Sequence, residues 1–297
     1  MKTLTIFTPS YNRAYCLHKC YESLCRQSNK GFEWLIIDDG STDNTKELVD
    51  KWCTKDNGFS IKYIYKNNGG LHTAYNVAIE NIETELSMCI DSDDYVPDDG
   101  VEKILKFWDK YGSEEYAGIV GLDYDINGNL IGDPLPNQKT VNLIDLLTGK
   151  YKLNNGDRKN VVRTSLYKSV APMKSFDNEK NFNPHYMHLL ISKDYDFLVL
   201  NENLCFVDYQ IDGMTNSMFK QYYNSPKSFA EIRKLYLSFP DTSFKFRFKH
   251  MIHFVSSSIL SKNRKIYKEI ENPIMLTAAI PFGIALSILI RLKNKAK

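Results

Sequence analysis

Short apolar runs recur at residues 4–8, 34–37, 61–65, 86–90 and 119–122. The interval between them, about 25 to 30 residues, is the length of a strand, a helix and two loops. This spacing predicts a βαβ series. Between the runs, apolar residues return with helical period: Leu17, Cys20, Tyr21 and Leu24; Leu48, Val49 and Trp52; Ala74, Val77 and Ala78; Val101, Ile104, Leu105 and Trp108. Each of these segments has one apolar face to lay against a sheet. At 297 residues and 43% hydrophobic, with few Gly and Pro, the chain is globular and long enough for one large α/β domain plus an appendage.

The residues able to do chemistry gather after the runs. Ser10 to Arg13 follow the first, Asp38 to Asp43 the second, Asn67 to His72 the third and Asp91 to Asp94 the fourth. In open α/β sheets ligands bind outside the carboxyl ends of the strands, so four loaded loops on one edge describe a single pocket. Each loop also has a plain structural explanation. Gly40 suits a tight turn, and Ser41, Thr42, Asp43 and Asn44 are good helix N-caps, but capping does not call for the two acids Asp38 and Asp39 before them. A carboxylate there can accept hydrogen bonds from a base or ribose. Gly69 and Gly70 let backbone approach a ligand ahead of a helix N-terminus that favours anions, with His72 either a diphosphate contact or a surface residue of the first turn. For Asp91-Ser92-Asp93-Asp94 the alternative is an Asx turn or N-cap, a task that Asp98 and Asp99 can perform instead. Carboxylates at D-x-D spacing after a buried strand suit Mn²⁺ or Mg²⁺, which take one or two carboxylates plus substrate phosphates.

Thr8-Pro9-Ser10-Tyr11-Asn12-Arg13, Asp38-Asp39-Gly40-Ser41-Thr42-Asp43, Asn68-Gly69-Gly70 with Ala74 and Asn76, and Asp91-Ser92-Asp93-Asp94 together resemble glycosyltransferase family 2, in order and in spacing, over residues 1–125. The resemblance implies a GT-A fold, an α/β nucleotide-diphospho-sugar transferase with a Rossmann-like mixed sheet, here followed by a helical, basic C-terminal appendage. It implies an inverting transfer from a nucleotide-sugar, most often a UDP-sugar, with Mn²⁺ or Mg²⁺ as cofactor. Carried over by position, Pro9, Tyr11 and Asp39 look like nucleoside contacts, Asp91 like a ribose or metal-shell contact and Asp93 like the metal carboxylate. Arg13, Asp38, Gly70, His72 and Ser92 complete the expected nucleotide-sugar pocket. The catalytic base of the family falls in the window matching residues 176–185, where Glu179 is the first choice, Asp177 the second and His185 the third; the bland alternative is that Glu179 is a solvated loop acid.

Periodicity fades over residues 128–151. Strands are expected at 197–200 and 204–207, and helix over 226–268. The expected organisation is a catalytic domain at 1–220, divided into a nucleotide-sugar half (1–125) and an acceptor half (126–220), then a helical basic extension (221–270) and an apolar-then-basic segment (271–297). Gly213-Met214-Thr215, with Lys220 nearby, reads as a turn or as a lid over the diphosphate.

Charge is unevenly placed. Residues 244–297 carry 11 Lys/Arg against Glu269 and Glu271, while the rest holds 27 basic and 34 acidic residues. The body is acidic and the tail basic. Residues 274–290 form a 17-residue apolar stretch followed by Arg291, Lys293, Lys295 and Lys297, which favours an anionic membrane surface over nucleic acid. A 17-residue helix reaches about 25 Å, short of a hydrocarbon core of roughly 30 Å, and Pro281 would kink it. An in-plane or partly inserted anchor is expected, against the alternative of a buried core helix. Cys16, Cys20, Cys25, Cys53, Cys89 and Cys205 form no C-x-x-C pair and read as buried thiols in a reducing compartment. No signal peptide opens the sequence, so the catalytic body is expected at the cytoplasmic face of the membrane, meeting a lipid-linked saccharide acceptor of capsule, exopolysaccharide or O-antigen type. A pyrophosphorylase would begin with a Gly-rich basic phosphate loop, and a D-x-D phosphatase would carry that motif after its first strand. The competing class that stays open is a catalytically silent, membrane-associated nucleotide-sugar-binding scaffold.

Overall fold

The computed structural model describes residues 3–154, 156–210 and 217–295. The chain divides into two compact units, one of Met1–Gly69, Thr73–Pro172 and Met187–Gln210, the other of Gly70–His72, Met173–Tyr186 and Ile211–Lys297. These units do not follow the linear segments 1–220, 221–270 and 271–297. The stretch Met173–Tyr186, which holds the expected base, packs with the C-terminal helices, because contacts and not chain order decide the grouping.

The first unit holds the sheet. Its strands are β1 (Leu4–Ser10), β2 (Phe32–Asp38), β3 (Ser60–Tyr65), β4 (Leu86–Cys89), β5 (Tyr116–Asp125), β6 (Thr140–Val141), β7 (Arg158–Arg163) and β8 (Asp196–Val207). They lie in the order β3-β2-β1-β4-β7-β5-β8-β6. β1, β2, β3 and β4 pair in parallel, whereas β7 runs antiparallel to both β4 and β5, so the sheet is mixed. The crossovers carry α1 (Leu17–Arg26), α2 (Thr45–Cys53), α3 (Leu71–Asn81) and α4 (Gly100–Tyr111). Every residue of β1 and β2 is buried, as expected of central strands covered on both faces. On one face Tyr21 of α1 stacks on Trp52 of α2 with ring centroids 4.3 Å apart, and both lie against Trp34 of β2. Trp34 satisfies its indole N–H on the Thr8 hydroxyl at 2.9 Å, which pins the layer to the strand that leads into the first loaded loop. Shorter helices α5 (Leu143–Thr148), α6 (Thr164–Val170) and α7 (His185–Ile191) follow.

Three strand expectations change. The runs at 197–200 and 204–207 join into one strand, β8, because residues 200–202 bulge: Val120 pairs with Val199, but Leu122 pairs with Asn203. Asn201 in that bulge is fixed by accepting from the N–H of Leu135 at 2.8 Å and donating to its carbonyl at 3.0 Å. β7 was not expected at all, since Arg158, Lys159 and Asn160 hide its alternation. β6, only two residues long, was equally invisible.

In the second unit lie α8 (Met218–Asn224), α9 (Pro226–Leu237), α10 (Phe244–Leu260), α11 (Ile266–Glu269) and α12 (Pro273–Lys295), and the helical stretch expected over 226–268 is divided among α9, α10 and α11. α12 is longer than the apolar stretch. Its 23 residues extend through Arg291 and Lys293, about 34 Å at 1.5 Å per residue, because basic residues prolong a helix as readily as apolar ones. Length therefore no longer argues against a span, and this helix is long and apolar enough to cross a membrane. Neither is it a buried core helix. Leu276, Ala279, Ser287 and Ile290 are buried, with Leu276 and Ala279 in a cluster with Phe254 and Val255 of α10. At Gly283 the helices come so close that a Cβ would stand 2.4 Å from Val255 Cγ1. The opposite face leaves Ile274, Phe282, Ile288 and Leu292 exposed. The Gly213-Met214-Thr215 turn lies outside the described residues.

Candidate active site

Three loaded loops meet at the carboxyl ends of β1, β2 and β4 in the first unit. The backbone beyond β1 turns through Asn12, whose φ of 53° is left-handed, a conformation asparagine tolerates better than most residues. Asn12 N–H donates to Ser41 Oγ at 2.9 Å and its side-chain oxygen accepts from Thr42 N–H at 2.8 Å, while Ala14 N–H donates to Asp43 at 3.0 Å. The first two loops are thus tied to each other by side chains beyond the last backbone bond of the β1–β2 pair, from Asp39 N–H to the Ser10 carbonyl at 2.8 Å. Pro9 is buried, Tyr11 is exposed beyond it, and Arg13 donates to the Tyr15 hydroxyl.

The two adjacent acids after β2 divide their work. Asp38 is buried; one oxygen accepts from Ser41 N–H at 2.7 Å and the other from the Tyr63 hydroxyl. It shapes the turn. Asp39 is held by a Lys66 salt bridge and by Gly69 N–H at 2.9 Å on one oxygen, with Asn68 donating to the other at 3.1 Å. Lys66 escaped the sequence reading although it opens the third loaded loop; a basic residue directly after β3, facing two acids after β2, was the available signal.

After β4 the acidic run separates in the same way. Asp91 is exposed, Ser92 and Asp94 are buried and Asp93 lies between. Burial raises the Asp93 carboxyl above its ordinary value and the charge of Asp91 raises it further, while Arg13 acts in the opposite direction. Two neighbouring carboxylates with surplus negative charge present hard oxygen donors, which fits Mn²⁺ or Mg²⁺. Among the described residues no three His, Cys, Asp or Glu side chains group tightly enough to hold a metal ion by themselves. A cation at Asp93 and Asp91 would then take its other ligands from phosphate oxygens and water.

The second unit brings together Gly70, His72 and the window of the expected base. Gly70 has φ 96° and a Cβ on it would stand 1.9 Å from the Lys180 carbonyl oxygen, so only glycine fits. His72 is buried, with its ring 6.2 Å from that of Phe182. It is not a surface residue of the first turn. Glu179 is buried, and its two oxygens accept from Lys227 N–H at 2.9 Å, Ser228 N–H at 2.8 Å and the Ser228 hydroxyl at 2.7 Å. These are the unsatisfied donors at the N-terminus of α9, so Glu179 is neither solvated nor idle. Asp177, two residues earlier, is exposed. Burial holds the His185 imidazole down at about 4, which keeps it neutral at physiological pH.

A mixed sheet of this order, with acidic loops gathered at the ends of its parallel strands, defines a GT-A fold with a helical C-terminal end. The model of Glycosyl transferase family 2 matches residues 5–164, and the chain belongs to that family. It is similar to the glycosyltransferase GlyA of Streptococcus pneumoniae serotype 4, 32% identical over 115 residues. That match covers 39% of this chain and 16% of GlyA, so the chain spans only a small part of that relative. Two solved structures share the fold. S. aureus TarS 1-349 in complex with UDP-GlcNAc has a TM-score of 0.61 at 20% identity, covering 95% of this chain and 80% of that one. The mannosyltransferase PcManGT of Pyrobaculum calidifontis, in complex with GDP-Man and Mn²⁺, has a TM-score of 0.59 at 12% identity, covering 96% and 86%.

Proposed function

We propose that this chain is an inverting glycosyltransferase, moving a sugar from a nucleotide-sugar, most simply a UDP-sugar, to a hydroxyl of a lipid-linked saccharide acceptor in surface polysaccharide synthesis. The observation that carries the reading is the pair Asp91 and Asp93, surplus in negative charge beside a loop in which Asp39 is already held by Lys66. Pro9, Tyr11, Arg13, Asp38, Asp39 and Ser92 form the nucleotide side in this reading, and Asp93, with Asp91, holds Mn²⁺ or Mg²⁺. Bound there, the cation supplies charge stabilisation for the departing diphosphate. Gly70 and His72 serve the diphosphate, with Gly70 keeping the backbone close and His72 offering a ring nitrogen. The complexes of TarS with UDP-GlcNAc and of PcManGT with GDP-Man and Mn²⁺ support the donor and cation classes.

An acceptor hydroxyl attacking the anomeric carbon must lose its proton to a base. Glu179 and Asp177 are the candidates. With three donors already on Glu179, the exposed Asp177 carboxylate is the one with capacity to accept that proton. The exposed apolar face of α12, together with Arg291 and Lys293 near its end, suits the cytoplasmic face of a membrane, where a lipid-linked acceptor is found.

A screen of nucleotide-sugars with Mn²⁺ or Mg²⁺, scored by slow donor hydrolysis, tests the reading with D93A as control. A donor turned over by the wild type and not by D93A supports it; metal-independent turnover, or none with any donor, sinks it. The scaffold reading draws on one observation, the commitment of Glu179 to α9. It predicts that donor binds with no turnover and that D177N changes nothing.

A further inference from the structure

Behind the acidic loop the sheet contains an ion that no motif announces. Lys159 of β7 is buried, with its ammonium 3.9 Å from Asp94 Oδ2. Asp123, near the end of β5, is 2% exposed and its Oδ1 has no hydrogen-bond partner among the described residues. Taking an ammonium and two carboxylates out of water costs several kcal/mol per ion unless they compensate one another. Asp94 is also where the loop is fastened. Its N–H closes the turn on Asp91 O at 3.0 Å, and its Oδ1 accepts from Asp208 N–H at 3.2 Å. Cys205 Sγ lies 3.8 Å from its Oδ2, and Tyr95 exchanges backbone hydrogen bonds of 3.1 and 2.8 Å with Phe206. The back of the loop is stapled to the end of β8, and the staple uses the side-chain oxygen at position 94 as an acceptor.

We propose that Lys159 is a positioning residue for the cation site: the buried cluster of Lys159, Asp94 and Asp123 holds the loop so that Asp91 and Asp93 face a divalent cation. The assignment rests on the donor-and-cation reading above. Electrostatic support comes from Asp123, held up at about 6 by burial with Lys159 the first charge to oppose the rise.

Positioning and simple charge predict opposite signs. Removing a positive charge behind a cation site strengthens cation binding if only long-range electrostatics matter, whereas loss of the loop's anchor weakens it. Free Mn²⁺ is followed by electron paramagnetic resonance as the full-length protein is titrated in the presence of UDP, well below the Tm of each variant. K159M should weaken Mn²⁺ binding by about tenfold or more, the usual effect of losing an outer-shell partner. D94N/K159M, with the net charge of the wild type, should recover most of that loss. Donor KM should rise in K159M with the same pattern of recovery. Binding by K159M within about twofold of wild type, or tighter, overturns the proposal, as does a double variant as weak as K159M. Where K159M is too unstable to purify, K159R, which keeps the charge but changes the shape of the buried cation, must bind Mn²⁺ more weakly than the wild type; equality overturns the proposal. If the wild type sequesters no Mn²⁺ with UDP, the donor-and-cation reading fails and this one with it; normal wild-type binding with an unaffected K159M removes only the role of Lys159.

Discussion

One oxygen of Glu179 holds Ser228 twice, through the backbone N–H at 2.8 Å and the hydroxyl at 2.7 Å. The other oxygen takes the N–H of Lys227. An anionic acceptor at a helix N-terminus satisfies donors that have no intrahelical partner and complements the helix dipole. E179Q presents an NH₂ group to one of these donors and is expected to cost about 1–2 kcal/mol of stability, read as a lower Tm. D177N is expected to keep its Tm and lose about 10²- to 10⁴-fold in turnover. Loss of transfer in E179Q at unchanged Tm would exchange the two roles.

Gly70 makes a second, sharper constraint on the same window. A methyl group there meets the Lys180 carbonyl, and the φ of 96° is strained for any L side chain. G70A is expected to cost about 2–4 kcal/mol from backbone strain and overpacking together. Chemical denaturation measures this directly, and a G70A midpoint equal to wild type would show that the Lys180 backbone moves aside at little cost.

Acid should weaken the fold through two histidines of α10. Burial, aided by the Arg233 charge, holds His250 down at about 3 and His253 at about 4, against an ordinary value of 6.5. Arg233 Nη1 lies 2.9 Å from His250 Nδ1, a hydrogen bond that needs a neutral imidazole as acceptor. Below pH 6.5 the unfolded chain takes up protons that the folded chain refuses, so stability present above 6.5 is lost as pH falls toward 4. The Tm of H250N/H253N should fall less steeply over that window; identical slopes would assign acid lability to other groups.

The bare face of α12 carries the membrane reading. Replacing Ile288, Leu289 and Leu292 by Gln removes exposed apolar surface only, so Tm should move by no more than about 0.5 kcal/mol equivalent per substitution. Co-sedimentation with vesicles containing anionic lipid should drop. Undiminished sedimentation would place the contact elsewhere.

The strand-and-helix spacing of the first half was legible because central strands announce themselves as apolar runs, as β1, β2 and β4 do. β7 was not, since only Val161 and Val162 are apolar among its buried residues and the third is Lys159, and a buried ion pair has no hydrophobic signature. The acids of the candidate site were legible as a set but not in their division of labour. Asp38 and Asp94 look like Asp93 in sequence; only the Tyr63 hydroxyl, the Asp208 N–H and Lys159, all distant in sequence, distinguish these loop-holding carboxylates from it. Glu179 was hidden for the same reason, its partners lying 48 and 49 residues later.

The division of the chain into units has a consequence for synthesis. The backbone passes from one unit to the other five times, and the second unit completes itself only with the last helices. As a ribosome delivers this chain, the eight strands are all made before α9 exists, whereas Glu179 emerges with both oxygens still hydrated and must wait for Lys227 and Ser228. The residue window that carries the proposed base therefore stays immature until α9 has been made, and a product that stopped before α9 would have its sheet without a formed second unit.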